Sequence, residues 1–290
     1  MTFFARAFGV NWRADLPLDL FEAAADDGGA AIEVNRCISL PERELGIAVG
    51  HGWLCHDGFR LKWGEQATFD MFGGQRIDYL PGPEWPGTMP VTFSSTVAAL
   101  TLAWRGMLPL HASAVEWAGR AVLIAGPAGA GKSTLSAGLI ARGARLIGDD
   151  LTVIDPRTGC VTVGRPAMRL HRDTAQTLEQ RSLIEVPDDP RGKVLVAPAA
   201  RYAGPALPVG AIVLLGGTSG ALSGALVPQL LSAHRFRPKW QDALPGREGL
   251  LRSLIALAGN TPAFGLPTIE QYSRANVEER CGQLLTLLGH

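Results

Sequence analysis

Nine consecutive residues constrain this chain more than any others: Gly126, Pro127, Ala128, Gly129, Ala130, Gly131, Lys132, Ser133 and Thr134. They fit G-x-x-x-x-G-K-[ST] without a gap, the pattern of the phosphate-cradling P-loop. The flanks fit as well. An apolar run over residues 120–125 reads as a buried strand, and residues 135–142 have helical spacing closed by Arg142 and Gly143. Glycines let the backbone turn its N–H groups inward, and the start of the next helix adds partial positive charge. Both then face the phosphates of a nucleoside triphosphate. In that arrangement Lys132 bridges the β- and γ-phosphate oxygens and Ser133 offers its hydroxyl to Mg²⁺. The stretch implies an α/β fold that takes ATP and Mg²⁺ as cofactors; no base-reading motif separates ATP from GTP.

Phosphoryl transfer also needs a carboxylate to position the metal and a base to guide the acceptor hydroxyl. Asp149 and Asp150 end an apolar run 17 and 18 residues beyond Lys132. One helix and a return strand fill that distance, so the pair can reach the phosphate side of the loop. Adjacent strand residues point to opposite faces, which would let one meet Mg²⁺ and the other the acceptor. A turn or helix-capping pair is the plainer alternative. His111 stands on a strand expected over residues 108–117, before the loop strand. A lone histidine on an apolar strand is more often a satisfied core residue than a functional one.

The remaining chain divides at a Pro/Gly-rich connection over residues 79–87. Residues 1–93 form a β-rich region with strand candidates at 30–34, 45–49 and 56–63 and a short helix at 15–22. Substrate docking is the role considered for it. Residues 94–290 hold the loop. They open with a helix over 93–105 capped by Ser94 or Ser95, then a hairpin turning at Ala118-Gly119. Strands are expected at 145–150, 151–155, 160–163, 193–197, 211–215 and 261–266, and a polar loop at 187–192. Helices are expected at 174–180, 226–232, 249–258 and 275–288.

Charge excludes some partners. Twenty-seven basic and 27 acidic residues cancel, so no chain-wide attraction to nucleic acid or anionic membrane is expected. Residues 208–233 carry no charge, but Gly216, Gly217 and Pro228 break the run, which reads as a strand, a loop and a short helix rather than a membrane span. The first residues lack a signal peptide's apolar core, and a soluble cytoplasmic protein is expected. The four cysteines form no C-x-x-C pair. His51, Cys55 and His56 cluster, without a second ligand pair for a metal.

Three features together resemble the catalytic core of the HPr kinase/phosphorylase family. They are Leu110-His111-Ala112-Ser113, the P-loop with Lys132-Ser133-Thr134, and Arg142-Gly143 followed by Leu146-Ile147-Gly148-Asp149-Asp150. The family has a histidine followed by a small residue, a P-loop, arginine-glycine, then leucine and a double aspartate, and the spacing here matches without insertion. The resemblance extends to the shorter HPr-kinase-related proteins, including lasso-peptide kinases. The resemblance implies a P-loop kinase core of phosphoenolpyruvate-carboxykinase/HPr-kinase type, a mixed sheet packed by helices. It implies ATP-dependent transfer of the γ-phosphoryl group to a serine hydroxyl of a peptide or small protein. Carried over residue by residue, Asp149 is the base, Asp150 and Ser133 hold Mg²⁺, and His111 and Lys132 stand at the transferring group.

The chain departs from HPr kinase at Pro127 and Thr134, where that family has aspartate and glutamate. It also lacks the glutamate-isoleucine-arginine-glycine-leucine-glycine segment tied to the reverse, phosphate-dependent reaction. A small-molecule hydroxyl as acceptor, a regulatory nucleotide-binding module without transfer, and a homo-oligomer all stay open. Arg169, Arg191 and Lys193 are candidates to contact phosphate or an acidic peptide, and Arg235, Arg237 and Lys239 form a further basic run.

Overall fold

A computed structural model describes residues 1–177, 183–184, 192–268 and 273–289. The regular elements up to residue 81 are all strands: β1 (Phe3–Ala7), β2 (Val10–Ala14), β3 (Glu22–Ala23), β4 (Ala31–Arg36), β5 (Ile47–Val49), β6 (Gly52–Cys55), β7 (Gly58–Trp63), β8 (Ala67–Phe72) and β9 (Arg76–Pro81). A π-helical turn, Phe93–Val97, leads into α1 (Ala98–Trp104). Then follow β10 (Leu108–Leu110), β11 (Ala112–Trp117), β12 (Arg120–Ala125), α2 (Lys132–Ile140), β13 (Arg145–Gly148), β14 (Thr152–Asp155), β15 (Cys160–Val161), β16 (Met168–His171) and α3 (Arg172–Thr177). The chain closes with β17 (Leu183–Ile184), β18 (Lys193–Val196), β19 (Leu207–Leu215), β20 (Gly220–Leu222), α4 (Leu226–Ser232), α5 (Pro238–Ala243), α6 (Arg247–Asn260), β21 (Ala263–Leu266) and α7 (Arg274–Leu287).

The first nine strands form one sheet in the order β3-β1-β2-β4-β9-β8-β7-β6-β5. Only β2–β4 and β4–β9 pair in parallel. Period-two alternation puts Trp12, Ile32, Val34, Phe59, Leu61, Phe69, Met71 and Ile77 into one buried cluster. That cluster is continuous with Phe93, Val97 and Leu100, with Leu151 and Val153, and with Phe236 and Trp240. Trp12 is central: it is fully buried, its indole N–H donates to the Ala7 carbonyl at 3.2 Å, and its ring meets Phe21 and Phe93. Trp12→Ala is expected to destabilise the protein by about 3–5 kcal/mol in urea unfolding.

The second sheet runs β10-β14-β15-β19-β12-β11-β13, with β21 beside β19 and β20 beside β21. It is mixed: β12–β19 and β19–β21 are parallel, and β11 is antiparallel to β12 and β13. Val122 and Ile124 face α2 and α7 through Leu135, Leu139, Val277 and Leu284. Leu123 and Ala125 face the opposite way, toward α4 and α6 through Val227, Leu231, Leu254 and Leu257. A small antiparallel sheet, β16-β18-β17, packs Met168, Leu170, Val194 and Val196 against Ala137 of α2 and Leu146 of β13. The chain is thus a mixed α/β structure with several sheets.

Several expectations need correction. Residues 15–22 do not form a helix. The Asp15 carboxylate accepts from the Arg36 N–H and the Tyr79 hydroxyl, and Glu22 pairs with Arg6 as a strand. Ser94 and Ser95 do not cap; their hydroxyls donate back to the Val91 carbonyl at 3.0 Å. The strand expected over 108–117 is broken at His111, because β10 pairs with β14 whereas β11 pairs with β12 and β13. Helix α5 falls where only a basic run was read. The hairpin turn at Ala118-Gly119 stands as expected, with φ of 49° and 79°. The helix expected over 174–180 is described only as far as Thr177, and most of the polar loop at 187–192 lies outside the described residues. Among the described residues no helix is long and apolar enough to cross a membrane.

Candidate active site

The glycine loop leaves the end of β12 and turns into α2 through Gly131 at φ +94°, a conformation open to glycine at little cost. Lys132 is therefore the first helical residue. Its ammonium folds back over the loop, donating to the carbonyls of Gly126 at 2.9 Å and Pro127 at 3.1 Å. Gly126 is a close-approach position: a Cβ there would stand 2.8 Å from the Leu215 Cβ.

Residues 128, 129 and 131–134 form one wall of a cleft. Asp149, Asp150 and His111 stand at its floor, and Arg169, Leu170, His171 and Lys193 form the other wall. The β16–β18 pairing explains that second wall. Met168 and Leu170 turn into the core, so alternation sends Arg169 and His171 the other way, and Lys193 is the cross-strand partner of His171. Gly126, Pro127 and Ala130 support the loop without lining the cleft. Arg191 lies outside the described residues. Arg235 and Arg237 do not reach the cleft: Arg235 pairs with Asp242, and Arg237 donates to the Thr96 hydroxyl.

Asp149 and Asp150 lie just past β13, in a bend rather than on a strand, so they do not split between two faces of a sheet; both line the same cleft. Their environments differ. The Asp149 side chain is sealed, 1% exposed. It accepts from the Ser113 hydroxyl, from the Ser133 hydroxyl at 2.9 and 3.0 Å, and from the Arg169 N–H at 2.8 Å. Asp150 is 22% exposed. Its φ of +68° is unusual for a residue with a side chain and costs roughly 1–2 kcal/mol. Its carboxylate lies 3.4 Å from His111 Nδ1 and 3.3 Å from Arg165 Nη2. Burial opposes the charge on Asp150, but Arg165, His111, Arg169 and Lys193 outweigh it and hold the carboxyl below its ordinary range.

His111 Nδ1 also stands 3.0 Å from the Asp150 carbonyl, which can only accept, so that nitrogen carries the proton. Burial lowers the His111 pKa despite the Asp150 charge, so at neutral pH the ring is uncharged and Nε2 keeps its lone pair. The backbone on the other side of His111 is tied to a second histidine: its N–H donates to the His234 carbonyl at 2.7 Å. Burial, with help from Lys132 and His111, pushes His234 down from 6.5 to about 4. The unfolded chain therefore binds a proton in this interval that the folded chain refuses. The His234 contribution is intact above pH 6.5 and is lost as pH falls to about 4. The thermal midpoint should drop over that window, and His234→Gln should flatten part of the slope in scanning calorimetry.

The donor chemistry suits a magnesium nucleotide. Mg²⁺ takes hard oxygens from one or two carboxylates, a hydroxyl, phosphates and water, and Ser133 beside Asp149 could supply the protein's share. Among the described residues no group of three or more His, Cys, Asp or Glu could hold a metal ion by itself. The loop amides and the start of α2 could hold phosphates. Sequence reasoning missed Ser113, Arg165, His171 and His234 as neighbours of the site. Ser113 carried a signal, since it follows His111 by two residues; Arg165 carried none.

No protein-family model and no curated protein matches this chain. Among solved structures it is similar to the Hpr(Ser) kinase/phosphatase from Coxiella burnetii, at 15% identity over 61% of this chain and 97% of that one. The TM-score is 0.30, and a likeness of that size carries no argument about function.

Proposed function

We propose that the protein is an ATP-dependent kinase that transfers the γ-phosphoryl group to a serine hydroxyl of a peptide or small protein. One observation carries the proposal: the loop lysine and serine, the paired aspartates and His111 meet in a single cleft. The acceptor class comes from the sequence resemblance.

In this reading the loop amides and Lys132 stabilise negative charge on the γ-phosphoryl group; Ser133 and Asp149 would hold a Mg²⁺, which would supply positive charge beside the phosphates. The acceptor oxygen forms the new P–O bond as the β–γ bridging bond breaks, and ADP leaves. The resemblance gives Asp149 as base and Asp150 at the metal. The hydrogen bonds support the reverse division. Asp149 is sealed and bonded to Ser133, which suits the metal side, whereas the Asp150 carboxylate is the one open to the cleft, where an acceptor hydroxyl could reach it.

Incubating the protein with Mg·[γ-³²P]ATP and a pool of serine peptides tests this. Label should enter serine peptides and be absent from the same peptides with alanine at that position. Label in a metabolite pool alone would move the acceptor to a small-molecule hydroxyl. Tight Mg·ATP binding with neither hydrolysis nor transfer would point to a regulatory module and defeat the kinase reading.

A further inference from the structure

We infer that Arg165 is the positioning residue of this site, a sealed guanidinium that fixes the bend at Asp149–Asp150 and aims the Asp150 carboxylate at His111. Arg165 is 2% exposed, in the turn between β15 and β16. Its Nη2 donates to the Asp149 carbonyl at 2.9 Å and faces the Asp150 carboxylate at 3.3 Å. Its Nε and Nη1 have no hydrogen-bond partner among the described residues. Among the described residues its polar bonding goes to the two aspartates alone.

That pattern is a poor stability device. Burying a guanidinium strips its water, and a buried ion pair is often matched or bettered by apolar side chains of similar volume. The arrangement does explain the backbone. Asp150 is held in the left-handed region, a conformation that persists only where the surroundings over-determine it. Arg165 grips the carbonyl just before Asp150 and the carboxylate of Asp150 itself, which leaves that residue little freedom to relax. The turn bearing Arg165 is itself anchored. The Gly164 N–H donates to the Ile147 carbonyl at 2.9 Å, and the Phe8 N–H from the β1–β2 turn donates to the Val163 carbonyl at 2.6 Å. The result is a chain from Arg165 to Asp150 to His111, with only the last two open to the cleft.

The effect on turnover rests on the kinase reading; the effect on geometry does not. Arg165→Met and Arg165→Lys should be compared with the parent by calorimetric Mg·ATP binding, by steady-state hydrolysis of Mg·ATP, and by crystal structures. Arg165→Met strips the Asp149 carbonyl and the Asp150 carboxylate of this partner, so it should lower the thermal midpoint, yet hold Mg·ATP affinity within about threefold and lower kcat about a hundredfold, as expected for a misplaced group. Arg165→Lys should restore part of kcat. In the Arg165→Met crystal, Asp150 should leave positive φ or its carboxylate should swing away from His111. Three outcomes overturn the inference: kcat within about threefold of the parent, an unmoved Asp150, or loss of folding in both variants, which makes Arg165 merely structural. If the parent binds no Mg·ATP, the kinase reading fails and the crystals still decide the role of Arg165.

Discussion

Asp149→Asn should lower phosphoryl transfer on the order of a thousandfold, the scale at which removal of one pre-organised electrostatic group acts. The side chain loses its charge and presents an amide NH₂ where an oxygen now accepts. The Ser113 and Ser133 hydroxyls can rotate to accommodate it; the Arg169 backbone N–H at 2.8 Å cannot if the NH₂ faces it. Leaving such a buried group unpaired costs about 1–3 kcal/mol, which a urea titration will resolve. The kinetic signature assigns roles. With Asp149 on the metal side, Asp149→Asn raises the Mg²⁺ concentration needed for half-maximal rate. Asp150→Asn leaves that requirement unchanged and lowers kcat by about 10²–10⁴, the usual scale of a lost general base. The opposite pattern would restore the division carried over by resemblance.

Lys132→Met should also reduce transfer about a thousandfold, with Mg·ATP affinity weakened at least tenfold. The expected stability change is small, and that contrast is the informative part. The ammonium is almost wholly buried and donates to two loop carbonyls, so its removal loses hydrogen bonds but relieves a desolvated charge. A thermal midpoint close to that of the parent, together with lost nucleotide binding by calorimetry, separates a ligand-directed lysine from a structural one. Unchanged Mg·ATP affinity would remove Lys132 from the phosphate site.

Much of this is legible in the amino-acid sequence. Helices α4, α6 and α7 follow from apolar periodicity, and strands β12, β18 and β21 from short apolar runs. The loop itself is also legible, since its glycines fix its geometry; His111, Asp149, Asp150, Arg169 and Lys193 line the same cleft, and His171 joins them without having been read. Three things are not. Residues 15–22 have a helix-like pattern, but the Asp15 carboxylate finds partners on β4 and β9, more than 20 residues away, and no local rule can foresee that. The break at His111 comes from two halves of one apolar run pairing with different strands. The unequal surroundings of Asp149 and Asp150 depend on Ser113 and Arg165; Ser113 stands 36 residues away beside His111, and Arg165 is marked by no pattern.

The left-handed backbone at residue 150 bears on descent as well as on chemistry. Glycine and asparagine tolerate that conformation best, so aspartate there is a standing handicap that selection must hold in place. Where the carboxylate ceases to matter, drift favours the easier residues, and the handicap disappears within a lineage. The identity of this one residue among descendants of the same ancestor thus separates working copies from retired ones, without an assay.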